Sequence, residues 1–214
     1  MKLTNAFSLL STVLVFACYL EKIEPEKNSA SSNNLSSNSL SPSSSSQVIE
    51  YQEPLLYQGQ SYRTIKMGSL IWLAENLNAE PKSGNGNWWC NDNLLTRCEQ
   101  YGKLYDWAAA MDACPSSLGW RLPSKKDYDD LSNFDNSVIS NNNSWWNATF
   151  GGYKEENTGD KEGFSDLDAG YWWSSTEAAN NLAGYSYIIG VGGKLEFSWK
   201  TKARAFSVRC VKNG

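Results

Sequence analysis

Histidine is absent from all 214 residues of the chain. Its absence removes the side chain that most often acts as a general base near neutral pH and that most often binds zinc. No run of basic residues is present, and 19 Lys and Arg are outnumbered by 23 Asp and Glu. A nucleic-acid backbone is therefore an unfavourable partner. No segment repeats at a fixed period, which disfavours solenoids and propellers.

The chain also has little that could cross a membrane. Residues 6–17 form a mostly apolar segment that is too short to span a bilayer and has the form of a secretory signal. The segment follows Lys2 and ends in Val15-Phe16-Ala17-Cys18, which resembles the cleavage site of bacterial lipoproteins. We therefore expect a signal peptide over residues 1–17 and acylation of Cys18. An ordinary signal peptide with an incidental cysteine is the alternative.

The next segment has too few apolar residues to fold. Of the 20 residues 28–47, 11 are Ser and 4 are Asn, so this stretch cannot bury enough apolar surface to offset its chain entropy. We expect residues 18–47 to be a lipid-anchored linker and residues 48–214 to be one folded domain. No Asp directly follows Cys18. By analogy with lipoprotein sorting, this favours lipid anchoring at the bacterial outer membrane, with the domain facing the periplasm or the cell surface.

The domain combines strand and helix patterns. Alternating β-branched and aromatic residues predict two early strands, and the tail predicts four more. The Ala-rich stretch 104–113, ended by Pro115, predicts one helix, and Ser124 as an N-cap predicts a second over 124–134. The expected class is α+β, with two short helices and antiparallel strands over residues 62–67, 70–73, 171–174, 185–191, 194–199 and 206–211.

Four segments together resemble a known family. They are TIKMGSLIWLAENLN (64–78), GKLYDWAAAMDACPSSLGWRLPS (102–124), WWSSTE (172–177) and AFSVRCVK (205–212). The set is similar to the Fibrobacter succinogenes major paralogous (FISUMP) domain. The resemblance implies a C-type-lectin-like fold related to the formylglycine-generating enzymes, with long irregular loops, in a family that has no agreed activity.

Four cysteines follow Cys18. In the family pattern, Cys114 and Cys210 occupy the ACP and VRCV positions, while Cys90 and Cys98 bracket a short local loop. Three pairings are possible. We favour Cys90–Cys98 with Cys114–Cys210, because the first closes that loop and the second joins the terminal strand to the first helix. A redox-active or metal-binding pair is the alternative. Formylglycine-generating enzymes use two neighbouring C-terminal thiols that bind copper, whereas this C-terminal segment has Cys210 alone.

Eight of the ten tryptophans fall into two groups. Those in the family motifs and on predicted elements are expected to pack in the core: Trp72, Trp107, Trp120 and Trp173. The adjacent pairs Trp88–Trp89 and Trp145–Trp146 lie in Gly-, Asn- and Ser-rich loops. We expect at least one ring of each pair to face water as a platform for sugars. Loops that fold back and bury these rings are the alternative.

Acidic residues give a weaker indication of a ligand site. Asp166, Asp168 and Glu177 could supply oxygen ligands to calcium, but the EF-hand pattern is absent. So are the Glu-Pro-Asn and Trp-Asn-Asp triplets with which lectins bind calcium and sugar. We expect no metal, no cofactor and no catalytic residue. The leading hypothesis is a non-catalytic binding module for polysaccharide. A structural role or an envelope-protein partner is the alternative, and an enzyme would rest on fold analogy alone.

Overall fold

The first sheet brings together strands from both ends of the domain. In the computed structural model, which describes residues 49–133, 146–156, 163–179, 181–190 and 192–214, β1 (Ile49–Tyr57) pairs with β2 (Gln60–Met67). The antiparallel order then continues through β3 (Leu70–Leu73) to β9 (Val211–Asn213). Strands β2 and β3 confirm the prediction for residues 62–73. Strand β1 was not predicted from the sequence.

The middle of the chain holds the helices: α1 (Leu95–Tyr101), α2 (Trp107–Ala113) and α3 (Lys125–Ser132). Two helices were expected, and α1 is the additional one. The first predicted helix begins three residues later than expected, because residues 104–105 form strand β5 (Leu104–Tyr105). This strand pairs with β4 (Trp88–Trp89), and Asp106 then caps α2 by accepting from the Ala109 N–H. For α3 the predicted N-cap is confirmed: Ser124 and Asp127 form a capping box.

The last sheet is antiparallel, in the order β6 (Ala169–Glu177), β7 (Leu182–Ile189), β8 (Glu196–Thr201). All three strands overlap their predicted positions. The prediction of a continuous strand over residues 206–211 is wrong. Phe206 bridges to Tyr105 and Ser207 bridges to Trp172, so this segment contacts different neighbours in turn, and a ladder forms only from Val211 onward.

Two clusters of buried side chains form the interior. One surrounds Tyr105, Trp173 and Phe206, and the other surrounds Trp72 and Trp172. Helices and antiparallel sheets around these clusters make the domain α+β, as expected. Residues Ser44–Gly214 form one compact unit.

Both expected cysteine pairs lie at bonding distance. The sulfur atoms are 2.08 Å apart in Cys90–Cys98 and 2.14 Å apart in Cys114–Cys210. The first bond links the segment after β4 to α1. The second links the end of α2 to the chain just before β9, across 96 residues of sequence.

No helix among the described residues has both the length and the apolar character needed to cross a membrane.

Candidate functional site

The first predicted tryptophan pair is only half-buried, but its rings are already in contact with cations. Trp88 packs against the first core cluster, and the Lys103 ammonium lies 4.3 Å from its ring centroid. The ammonium of Lys154, a residue that is 3% exposed, lies 5.5 Å from the ring of Trp89. Each ring of this half-buried pair therefore has a cation of the protein beside it.

The second pair is different. Trp145 lies outside the described residues. Trp146 has no exposed surface, and its ring meets Trp172 edge-on, with a centroid distance of 4.9 Å. The expectation that Trp146 offers an exposed, ligand-contacting ring is wrong. The chain turns inward here because the backbone carbonyl oxygens of Trp146 and Asn147 both accept hydrogen bonds from the buried guanidinium of Arg209.

The tryptophans assigned to the core behave as expected in three of four cases. Trp72, Trp120 and Trp173 are at most 2% exposed. Trp107 is half-buried, with the Lys202 ammonium 4.4 Å from its ring and its indole N–H donating to the Ser174 carbonyl oxygen.

The three candidate calcium ligands do not form one site. Asp166 and Asp168 lie exposed on the turn before β6, whereas Glu177 is at the far end of that strand and pairs with Lys202. Within the described ranges, no group of three or more His, Cys, Asp or Glu side chains is placed to hold a metal ion.

A polar groove bordered by the same turn before β6 is the better candidate site. It encloses about 500 Å³ between the end of α1, the segment 147–150 and the turn before β6. A smaller extension of about 110 Å³ shares four of its residues and reaches toward the segment after β3. The residues lining the main groove are Gln100, Tyr101, Asn147, Thr149, Phe150, Leu167, Asp168 and Gly190.

Asn76, which is 4% exposed, lies at the base of this groove and joins its walls. Its side-chain nitrogen donates to the carbonyl oxygens of Tyr101 (2.8 Å) and Thr149 (2.9 Å). Its side-chain oxygen accepts from the indole N–H of Trp172 (2.8 Å) and from Nε of Arg209 (3.0 Å). One buried amide thus fixes both walls to the core.

Arg209 is the second member of this base and is fully buried. Besides Asn76, it donates to the carbonyl oxygens of Trp146 and Asn147, and its guanidinium carbon lies 4.1 Å from the Trp146 ring centroid. Burial lowers the pKa of Arg209 to about 9. None of the ion pairs found among the described residues includes Arg209, so carbonyl dipoles and an aromatic ring take the place of a carboxylate.

Gly102 lets α1 end directly against this base. Its φ is +78°, and a Cβ at this position would lie 2.7 Å from the Cβ of Asn76 and 2.9 Å from the carbonyl oxygen of Leu77. Only glycine combines easy access to this positive φ with the absence of a Cβ that would clash with Asn76 and Leu77. The turn brings Gln100 and Tyr101, the last residues of α1, to the groove.

The groove can bind an extended polar molecule without chemistry of its own. The amides of Gln100 and Asn147 offer donors and acceptors, Thr149 offers a hydroxyl, and Asp168 offers a carboxylate. The half-buried rings of Tyr101 and Phe150 add apolar surface. A few convergent polar groups beside apolar surface are typical of a ligand site.

No protein-family model, curated protein or solved structure matches this chain.

Of the residues that line the groove, the sequence singled out Asp168 alone, and it did so as a possible calcium ligand. Arg209 was one usable signal. It is a charged residue within the mostly apolar run AFSVRCV (205–211), and it precedes a cysteine that was expected to form a disulfide. A charge within such a run indicates a buried polar network. Gln100 and Asn147 gave no signal, because an isolated amide at a helix end or on a short segment looks like an ordinary surface residue.

Proposed function

We propose that this protein is a non-catalytic binding module that holds polysaccharide in the polar groove. The observation that carries the proposal is the groove itself: amides, a hydroxyl, a carboxylate and two rings line one cleft of about 500 Å³. Sugars present hydroxyl groups at their edges and apolar C–H faces, so amides and carboxylates suit the former and aromatic rings suit the latter. The fixed base at Asn76 keeps the walls in place without a ligand, which lowers the ordering cost of binding.

The test is retention of the full chain on insoluble cellulose, xylan and peptidoglycan, with Tyr101→Ala as the site variant. Removing the ring should weaken retention at least tenfold, equivalent to about 1.4 kcal/mol. Tyr51→Ala is the matched control, because Tyr51 is 56% exposed on β1 and does not line the groove. A wild-type chain that stays on none of the three materials would remove the proposal, as would equal losses in the two variants.

The setting proposed for this module is the bacterial envelope. Cys18, after its apolar leader, would carry the lipid anchor, and the Ser- and Asn-rich residues that follow would separate the domain from the membrane. Replacing Cys18 with Ser should release the protein from the membrane fraction. Metabolic labelling with a palmitate analogue should mark the wild-type chain alone. An unlabelled wild-type chain would contradict lipidation and leave the groove proposal unaffected.

The FISUMP resemblance and its lectin-like fold belong to the same proposal. Three motif positions have structural roles consistent with a shared domain plan: Asn76 fixes the groove, and Cys114 and Cys210 are bonded to each other. A non-catalytic role is consistent with the same bond, since it leaves Cys210 without a free thiol for copper chemistry.

A further inference from the structure

The charges that face the polar groove all have one sign. Among the residues that line the groove and its extension, the charged ones are Asp168, Glu75 and Glu99. Each is a carboxylate, and Asp168 and Glu99 are exposed. No lysine or arginine lines either part within the ranges that the structure describes.

Two basic residues near the groove are paired with carboxylates of the protein, and one of these carboxylates, Glu75, itself lines the extension. Arg63 forms an ion pair with Glu75 at 2.5 Å. Arg97 lies 5.6 Å from the Tyr101 ring centroid and pairs with Asp92 at 3.9 Å. Each of these cations therefore has a carboxylate of the protein as its neighbour, so neither is left to receive a carboxylate from a ligand.

Two further cations are still less available. The Lys103 ammonium donates to the backbone carbonyl oxygen of Asn78 at 3.2 Å and lies over the ring of Trp88. Arg209 has no exposed surface, so a molecule in the groove cannot contact it. Among the described residues, the charges that a ligand in the cleft can contact and that form no ion pair are therefore the exposed carboxylates of Asp168 and Glu99.

We infer that the groove selects neutral glycans and rejects polysaccharides of uronic acids. The inference rests on the proposed function and deepens it, since it gives the chemical class of the bound chain. Hydroxyl groups donate to Asp168 and Glu99, while a carboxylate on each sugar unit would be placed against charges of its own sign. The rejection is electrostatic at an exposed cleft and therefore weakens as salt screens the charges.

The experiment compares two ligands that differ only in charge: cello-oligosaccharides and the same oligosaccharides oxidised to carboxylates at C6. Neutral and carboxylated xylo-oligosaccharides form a second pair. Binding to the full chain is measured by calorimetry at 20 mM and 500 mM salt. In at least one pair we expect the acidic ligand to bind at least tenfold more weakly at low salt, with a smaller difference at high salt.

A double variant tests which charges are responsible. Asp168→Asn with Glu99→Gln should narrow the difference between neutral and acidic ligands severalfold. The control, Glu53→Gln with Asp129→Asn, changes the net charge equally at exposed positions that do not line the groove and should preserve the difference. Equal or tighter binding of acidic ligands would overturn the inference while the proposed function stands, and so would equal effects of the two double variants. If no glycan binds, both fail.

Discussion

Arg209 has an environment that few arginines share, because its charge is buried without a carboxylate beside it. The guanidinium donates to the side chain of Asn76 and to two backbone carbonyl oxygens of the segment 146–147. A planar group with donors on several sides can make these contacts at once, whereas an ammonium is a compact point charge. The residue therefore orders the loop that forms one wall of the groove.

Arg209→Lys tests this role. The lysine keeps the positive charge but cannot reach Asn76 and both carbonyl oxygens together, so we expect the free energy of unfolding to fall by about 3 kcal/mol. Chemical denaturation monitored by tryptophan fluorescence measures the change. Arg63→Lys is the control: Arg63 is exposed and forms a surface ion pair, so its loss should cost less than about 1 kcal/mol. Similar midpoints for the two variants would show that Arg209 is not a structural centre.

Buried tyrosines determine how stability responds to alkaline pH. Burial raises the pKa of Tyr62 to about 12, and it also raises the pKa of Tyr105 and Tyr128. In the unfolded chain these phenols ionise near pH 10. Between about pH 10 and 12 the unfolded state therefore holds fewer protons than the folded state, and stability falls as pH rises. Arg209, above about pH 9, and Lys103, whose pKa burial lowers, act in the opposite direction. They are two groups against these three tyrosines, and the pKa values of Tyr171 and Tyr187 are raised as well.

Replacing Tyr62 with Phe should make stability less dependent on pH. At pH 8 the variant loses the hydroxyl that accepts from the Asn78 N–H, at a cost of about 1 kcal/mol. Between pH 10 and 12, however, it has one fewer group that ionises on unfolding, so its stability should fall less steeply than that of the wild type. Urea titrations at half-unit pH steps give both slopes. Parallel curves would contradict the role assigned to Tyr62.

At the scale of single elements, α1 depends most on its surroundings. It has seven residues, begins after Leu94 without a side-chain cap, and presents Leu94 and Leu95 to solvent at 51% and 74% exposure. So short a helix is marginal by itself. Its tertiary restraints are the Cys90–Cys98 disulfide and the hydrogen bond from Asn76 to the carbonyl oxygen of Tyr101. Because the helix ends in groove residues, the disulfide also stabilises the candidate site.

Opening this disulfide should therefore weaken binding as well as lower the global stability. For Cys90→Ser with Cys98→Ser, the chain-entropy model gives a loss of about 2.5 kcal/mol, because the closed loop is short. We expect a folded protein whose affinity for the retained polysaccharide drops at least tenfold. Retention assays at a temperature where the variant is fully folded measure this. Unchanged affinity would show that α1 keeps its place without the covalent bond.

The same helix shows where sequence patterns stop being sufficient. Helix α3 was predictable because its cap is local: Ser124 and Asp127 satisfy each other within one turn. Helix α1 has no such signal, and it forms through contacts with residues distant in sequence. Residues 104–105 have the composition of a helix but join a strand, because Trp88 and Trp89 lie opposite them. A cap formed by residues within one turn can be predicted from the sequence, whereas pairing between short segments that are distant in sequence cannot.

The candidate site was also predictable only where its determinants are few or local. Cysteine pairing was predictable, since few partners exist and their positions constrain one another. The groove was not, because it forms where α1, residues 147–150 and the turn before β6 meet. At least one ring of the pair Trp145–Trp146 was expected to face water, but Trp146 is buried because its carbonyl oxygen accepts a hydrogen bond from Arg209, 63 residues away. A charge buried by a distant partner leaves no periodic pattern around either residue.

For the molecule as a whole, the Cys114–Cys210 disulfide is the strongest constraint on the unfolded chain. It closes a loop of 96 residues of sequence, and both cysteines are buried, at 4% and 0% exposure. The bond also fixes the chain just before β9, which completes the first sheet, so the two ends of the domain depend on it together. Loss of the bond should therefore destabilise the whole domain and not one loop.

We expect Cys114→Ala with Cys210→Ala to lower the free energy of unfolding by about 4.7 kcal/mol, a large part of a typical total of 5–15 kcal/mol. The effect should exceed that of opening Cys90–Cys98 by about 2 kcal/mol, because the cost in the unfolded chain grows with the logarithm of loop length. Denaturation of both double variants under identical conditions measures the difference. Non-reducing peptide mapping of the wild type should return Cys114 joined to Cys210 and no free thiol. A reactive thiol at Cys210 would contradict this account, and so would a larger loss of unfolding free energy in Cys90→Ser with Cys98→Ser than in Cys114→Ala with Cys210→Ala. Each outcome would mean that the two ends of the domain fold independently of the long-range bond.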